Sequence, residues 1–354
     1  MKDVLLLENS AIRHRADSGI PINVRAIARR IATMLGGSVV HQCDNSSRSR
    51  FFVPFAAVRE SLAAEHHILG NGDVYGGVVR EQEHADKAIL HKLVREDAFR
   101  AGWYSPEFAL CVSGVTLPGF TVFTNEDAVQ SFEMLQDAGV VARCKDPSNT
   151  GGVGQRRVDT KDELTNFLSQ YGSRIRSAGV VIEAEIDRPN TVSVGRVNLL
   201  GHEFCWFGQP YDVMYAGVPR FGGNVLTVIR GGFDELLRNV NDPDEFLAIE
   251  QAARVFSAYD TLGAVISRGT LDVVQGISGV DFVSGVTDPS LRPSGSSAAE
   301  LRAIEALNSE PRARVATTRV EFDYTGAKRT MRPSESVFVT HKNMTVYVDL
   351  VTLD

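Results

Sequence analysis

Val286-Thr287-Asp288-Pro289-Ser290-Leu291-Arg292-Pro293-Ser294-Gly295 is the stretch whose reading decides the fold. It gives an acid, a small polar residue two positions on, an arginine two further, and then glycine. That order suits a metal–triphosphate complex. The carboxylate takes a divalent cation, the polar oxygen offers a second ligand, and the guanidinium neutralises phosphate charge. Ten residues specify little by themselves; their weight comes from what precedes them.

Working backwards, Leu271–Val274 reads as a strand, and Phe282–Val286 pairs with it across the Gly276–Gly279 turn. That pairing brings Asp272 towards Asp288, and magnesium favours carboxylates that share it with substrate phosphates. Further upstream, Gly179-Val180-Val181-Ile182-Glu183 is an apolar strand that ends in acids, Glu183-Ala184-Glu185. Free backbone groups at such a strand end can pair with an adenine edge, and the acids can take ribose hydroxyls. Before it, Lys145 closes a strand and opens a loop containing Gly151, Gly152 and Gly154. Glycines let backbone N–H groups approach phosphate oxygens, and the lysine adds charge. The loop has neither the Walker A order nor the Rossmann fingerprint. Earlier still, Asp86-Lys87 opens a segment, Asp86 to Arg100, that reads as a helix with Ile89, Leu90, Leu93 and Val94 inward.

The remaining chain reads as mixed α/β. Asn23–Leu35 has helical spacing, and Ser38–Val40 and Phe51–Pro54 are strand-like. Thr124 and the Thr160–Glu163 capping box start two further helices. Thr191–Leu200 and Glu203–Gly208 form a hairpin, Phe246–Tyr259 and Ala298–Asn308 are helices, and Val315–Tyr324 and Ser336–Leu350 are strands. Gly217–Gly223 reads as a loop, and Tyr211, Tyr215 and Arg220 around it are candidates for a substrate pocket. With 354 residues, 43% hydrophobic and 23% charged, the chain can bury the cores of two or three domains. A net charge of -7 argues against a nucleic-acid partner held by a broad basic face. No stretch approaches the roughly 20 apolar residues of a membrane span, and the N-terminal apolar run is short for a signal peptide. The four cysteines form no C-x-x-C pair and read as reduced thiols. A cytoplasmic protein is the expectation, and a homodimer is one arrangement open to it.

The four chemical features fall in one order: Lys87, Lys145 with its glycine-rich loop, the strand ending at Glu183, and the acids Asp272 and Asp288 with Arg292 trailing. In that order, over roughly residues 85 to 300, the chain resembles the ATP-grasp superfamily. Phe51–Pro54, Val74–Val79, Gly102–Phe108 and Val228–Asp234 resemble a bacterial ATP-grasp-like family of unknown function that covers most of the chain. The resemblance implies an α+β ATP-grasp fold: a small N-terminal α/β domain over residues 1–84, an ATP-grasp subdomain with the lid loop over 85–190, and a C-terminal ATP-grasp subdomain over 191–354, with ATP between the two subdomains. It implies that Lys87, Lys145 and the Gly151–Gly154 loop contact the ATP phosphates. Glu183, Ala184, Glu185 and Asn190 would meet the adenosine. Asp272, Asp288 and Ser290 would hold Mg2+, and Arg292 would face phosphate, with Arg268 and Arg230 as candidates for the substrate carboxylate. The implied activity is ATP-dependent ligation of a small-molecule carboxylate and an amine. A small-molecule kinase and a non-catalytic ATP-binding protein are the alternatives. Three positions depart from the superfamily pattern. Asp288 stands where glutamate is usual, Ser290 where asparagine is usual, and Asn190 where a ribose-binding acid is expected.

Overall fold

The computed structural model describes residues 1–7, 20–40, 49–149, 153–327 and 330–354. Its centre is an eight-stranded antiparallel sheet. The strands lie in the spatial order Asp281–Ser290, Arg268–Ser278, Asp187–Leu199, His202–Tyr215, Val218–Arg230, Val315–Asp323, Met344–Leu353, Glu335–His341. Both faces are covered, so each strand alternates between two cores. Val197, Phe204, Trp206, Leu226 and Val228 pack under the helices Ile20–Met34 and Ser297–Ser309. Val192, Val194, Cys205, Ile229, Leu271 and Val273 point the other way, under the helix Pro243–Ala258.

Before this sheet, three parallel strands, Val39–Val40, Asp3–Leu7 and Arg50–Pro54, lean on the helix Ile20–Met34. A small sheet joins Val58–Arg59, Gly77–Val79 and Val265–Ile266, tying the N-terminal region to the strand that begins at Arg268. A separate four-stranded antiparallel sheet runs Gly119–Val122, Val180–Ala184, Ala142–Lys145, Gln155–Val158, backed by the helices Asn125–Asp137 and Lys161–Ser169. Both helix starts use the expected caps: Thr124 accepts from Asp127 N–H, and Thr160 with Glu163 forms a full capping box. Among the described residues Cys111, Cys144 and Cys205 are free thiols, and no helix is long and apolar enough to cross a membrane; Cys43 lies outside the described residues.

Three local expectations fail. Asp86–Arg100 is not a helix; only Lys87–Ile89 makes a single 3-10 turn. The carbonyls that a helix would use internally are taken by distant partners: Thr121 donates from Oγ1 to Ala88 O and from its N–H to Lys92 O, and Tyr104 Oη donates to His91 O. The segment is stitched to the four-stranded sheet at Thr121 instead. Val218–Gly223 is strand, because Val218–Arg230 pairs along His202–Tyr215 through a two-residue turn at Ala216-Gly217. Both turn residues have positive φ, 52° and 76°, which matches the twist of such hairpins. Ser336–Leu350 folds back on itself as two paired strands that turn at Lys342-Asn343.

Candidate functional site

The hairpin Arg268–Ser278/Asp281–Ser290 sets Asp272 directly opposite Asp288, and Thr270 opposite Ser290. Side chains two apart along a strand share a face, so Thr270, Asp272, Asp288 and Ser290 form a polar square on one side of the sheet. A β-bulge at Asp272/Val273 makes Thr287 the extra residue, and its Oγ1 donates to Asp272 O at 3.3 Å. Ser193, on the next strand, donates from Oγ to Asp272 Oδ1 at 2.6 Å. Burial pushes the Asp272 carboxyl up to about 6 and the Asp288 charge adds to it, against the Ser193 bond and the lysines Lys87 and Lys145. The Oγ atoms of Thr270 and Ser290 are buried with no hydrogen-bond partner among the described residues.

This donor set fits a hard cation. Two carboxylates a strand apart, with unpartnered hydroxyl oxygens beside them, suit Mg2+, which binds through one or two carboxylates and completes its octahedron with water and phosphate oxygens. No cluster of three His, Cys, Asp or Glu residues arranged for a metal occurs among the described residues, so this is no all-protein cage.

Two lysines reach this region from other elements. Lys87 is 1% exposed; its Nζ donates to Asn149 O at 2.6 Å and lies 3.5 Å from Asp288 Oδ1. It thus joins the start of the glycine-rich loop to the acid Asp288. Beside it, burial pushes Asp86 up to about 7, with the charges of Glu83, Asp288 and Asp146 adding and Lys87 opposing. Lys145, at the end of its strand, pairs with Glu183 Oε1. His91 Nε2 lies 3.0 Å from Glu183 Oε2. Burial alone would raise the Glu183 carboxyl, but the Lys145 charge and the His91 hydrogen bond outweigh it and hold the group at about 2. Gly119, the cross-strand neighbour of Glu183, makes room: a Cβ there would stand 2.7 Å from Glu183 Cβ.

The loop between Lys145 and Gln155 is anchored at both ends. Asp146 N–H donates to Gly154 O at 2.8 Å, and Ser148 donates to Asp146 Oδ1 from N–H and Oγ. Gly154 has φ 71°, and a Cβ there would lie 2.6 Å from Asn149 Nδ2. Gly151 and Gly152 lie outside the described residues.

The predicted adenosine residues are arranged differently from the sequence reading. Glu183 turns its carboxylate inward to Lys145 and His91. The N–H groups of Ala184 and Glu185 are already used, donating to Pro118 O and Val141 O at 2.8 Å each. Glu185 pairs with Arg143 at 2.6 Å, and Asn190 is exposed opposite Gln275, three residues before Ser193.

The arginines also separate. Arg268 is fully buried in an ion pair with Glu300, Nη2 to Oε2 at 3.0 Å. The same carboxylate accepts from Tyr75 Oη and from Trp206 Nε1. Arg268 is therefore not presented to a substrate carboxylate. It braces the loop instead, donating to Arg292 O and, at 2.8 Å, to Ser294 Oγ. Arg230 lies three strands from Arg268 along one cross-strand row, about 14 Å at sheet spacing, and donates to Leu307 O. Arg292, half-buried, donates from Nη1 to Pro293 O at 3.0 Å and follows Ser290 by two residues. Tyr211, Tyr215 and Arg220 belong to the long hairpin, where Arg220 lies 5.7 Å from the Tyr215 and Tyr324 ring centroids. The sequence reading missed His91, Ser193 and Thr270; the paired strands gave a signal for the last two, and nothing marked His91.

The chain belongs to the family described as Protein of unknown function (DUF3182), which matches residues 9–347. No curated protein matches it. Its architecture is similar to N5-carboxyaminoimidazole synthetase from Staphylococcus aureus, with TM-score 0.58, 10% identity, and 99% of this chain and 93% of that chain covered. It is likewise similar to a biotin carboxylase–beta-gamma-ATP complex from Campylobacter jejuni, with TM-score 0.57, 12% identity, and 99% and 87% covered. D-alanyl-alanine synthetase A from Vibrio cholerae gives TM-score 0.53 at 12% identity, over 83% and 89%. The fold is ATP-grasp.

Proposed function

We propose that this DUF3182 protein is an ATP-dependent carboxylate–amine ligase that forms an amide through an acyl phosphate and releases ADP and phosphate. The observation that carries the proposal is the convergence of Lys87 and the metal-side acids: a buried ammonium between the lid-loop carbonyl of Asn149 and the carboxylate of Asp288, across from Asp272. Buried charges are held apart from water only where a ligand or a partner uses them, and here cationic and anionic groups lie together at the mouth of a glycine-bearing loop.

In this reading Asp272, Asp288 and the Ser290 hydroxyl hold Mg2+, which neutralises phosphate charge when bound. Lys87 and Lys145 bind the triphosphate and fix it in line for attack. The loop from Asp146 to Gly154 closes over it and keeps water out. A substrate carboxylate oxygen attacks the γ-phosphorus, the bond from that phosphorus to the β-bridging oxygen breaks, and ADP leaves. The amine nitrogen then attacks the acyl carbon, phosphate leaves, and the nitrogen loses its proton to solvent. Positioning and charge neutralisation are the protein's contribution, as phosphoryl transfer demands. Arg292, two residues past Ser290, is the group this reading assigns to the acyl phosphate.

The test is ADP and phosphate release with panels of carboxylates, each with and without amines. Release that needs both supports the ligase. Phosphate retained on the acceptor means a kinase, and nucleotide binding without turnover across the panels means a non-catalytic ATP-binding protein.

A further inference from the structure

Lys87 and Lys145 sit on different pieces of the chain. Lys145 ends a strand of the four-stranded sheet, and Lys87 opens an irregular segment with a single 3-10 turn. Two phosphate-binding ammonium groups are useful only at a fixed separation, so something must hold the segment against the sheet. His91, four residues after Lys87, does so. Its ring is 1% exposed and its Nε2 lies 3.0 Å from one oxygen of Glu183, whose other oxygen takes Lys145. Its backbone is fixed as well, because Tyr104 Oη donates to His91 O at 2.7 Å. The path Lys87–His91–Glu183–Lys145 is thus one connected unit, with no group in it exposed beyond a few per cent.

We infer that His91 is a positioning residue for the two phosphate lysines: by donating to Glu183 it holds that carboxylate where it presents Lys145, and it sets the distance from Lys145 to Lys87. This rests on the reading of the site as an ATP site. A group that orients a ligating residue without touching the ligand changes affinity by roughly 10- to 100-fold in comparable metal sites, and the same order applies here.

The experiment compares binding of a non-hydrolysable ATP analogue and of AMP, both with Mg2+, to the full chain by calorimetry. Wild type binds the triphosphate analogue more tightly than AMP; equal binding, or none, refutes the ATP-site reading itself. His91→Gln, which keeps a donor near the Nε2 position, retains the triphosphate preference within about three-fold. His91→Phe, which removes the donor, lowers analogue affinity by roughly ten-fold or more and leaves AMP affinity unchanged, so the preference collapses. If His91→Phe weakens both ligands equally the role is merely structural, and if it weakens neither His91 does not position the lysines; either result overturns the inference. Should His91→Phe not fold, loss of the triphosphate preference in His91→Asn, whose amide is too short to reach Glu183, replaces it, and an unchanged preference there is equally fatal.

Discussion

Replacing Glu183 with Gln tests the electrostatics of the buried triad directly. The carboxylate is 1% exposed, takes Lys145 on one oxygen and His91 on the other, and is held at about 2 against an ordinary 4.5. That depression corresponds to roughly 3 kcal/mol of preference for the charged form in the folded chain. The folded-state value is depressed, so this stability is fully present above about pH 4.5 and is lost as pH falls towards 2. The same titration leaves less than about half of it at pH 3. Glu183→Gln removes the charge and strands the Lys145 ammonium, for which breaking a buried pair costs about 3–5 kcal/mol. The two routes agree in size. Urea denaturation followed by circular dichroism therefore shows the variant about 3–5 kcal/mol less stable than wild type at pH 7, with the gap narrowing by about half or more at pH 3. A gap below about 1 kcal/mol at pH 7, or one that does not change with pH, would refute the view that Glu183 is a buried, ionised anchor for Lys145.

Other expectations follow from the same geometry. Asp272→Asn and Asp288→Asn each raise the Mg2+ needed for half-maximal nucleotide binding by roughly ten-fold or more, read by magnesium titration; wild-type curves for both remove the pair from the metal site. Because burial holds Asp272 at about 6, the carboxyl must lose a proton to take a cation, so apparent Mg2+ affinity falls by up to about ten-fold per pH unit below 6 and levels off above it. A flat profile between pH 5 and 7 counts against Asp272 as a ligand. Gly195→Ala sets a Cβ 2.2 Å from Trp206 Cε2, in the fully buried ring that also donates to Glu300, so it lowers stability by about 1–3 kcal/mol in thermal melts; an unchanged melting temperature means the indole moves freely.

How far the sequence carries depends on whether a residue's role is local or set by distant chain. The Asp272–Asp288 pairing was legible because strand alternation and a glycine turn fix register between neighbours, and the structure has that register with a bulge added at Thr287. Thr160 and Glu163 were legible for the same reason, since a capping box closes within four residues. Asp86–Arg100 failed because its apolar spacing satisfies a helix while its carbonyls are claimed by Thr121 and Tyr104, and no window of sequence contains those claims. The partners of Glu183 were hidden in the same way. An acid at a strand end reads as solvent-facing and free, yet its two oxygens answer to Lys145, 38 residues upstream, and to His91, 92 residues upstream. Arg268 shows the converse: a guanidinium near a phosphate motif looks functional, but a fully buried one needs a carboxylate, and Glu300 on the following helix supplies it. That pairing still bears on chemistry. Through Arg292 O and Ser294 Oγ the buried arginine shapes the turn that carries Arg292, so the stretch from Val286 to Gly295 is held from beneath by a residue whose own charge is taken by Glu300.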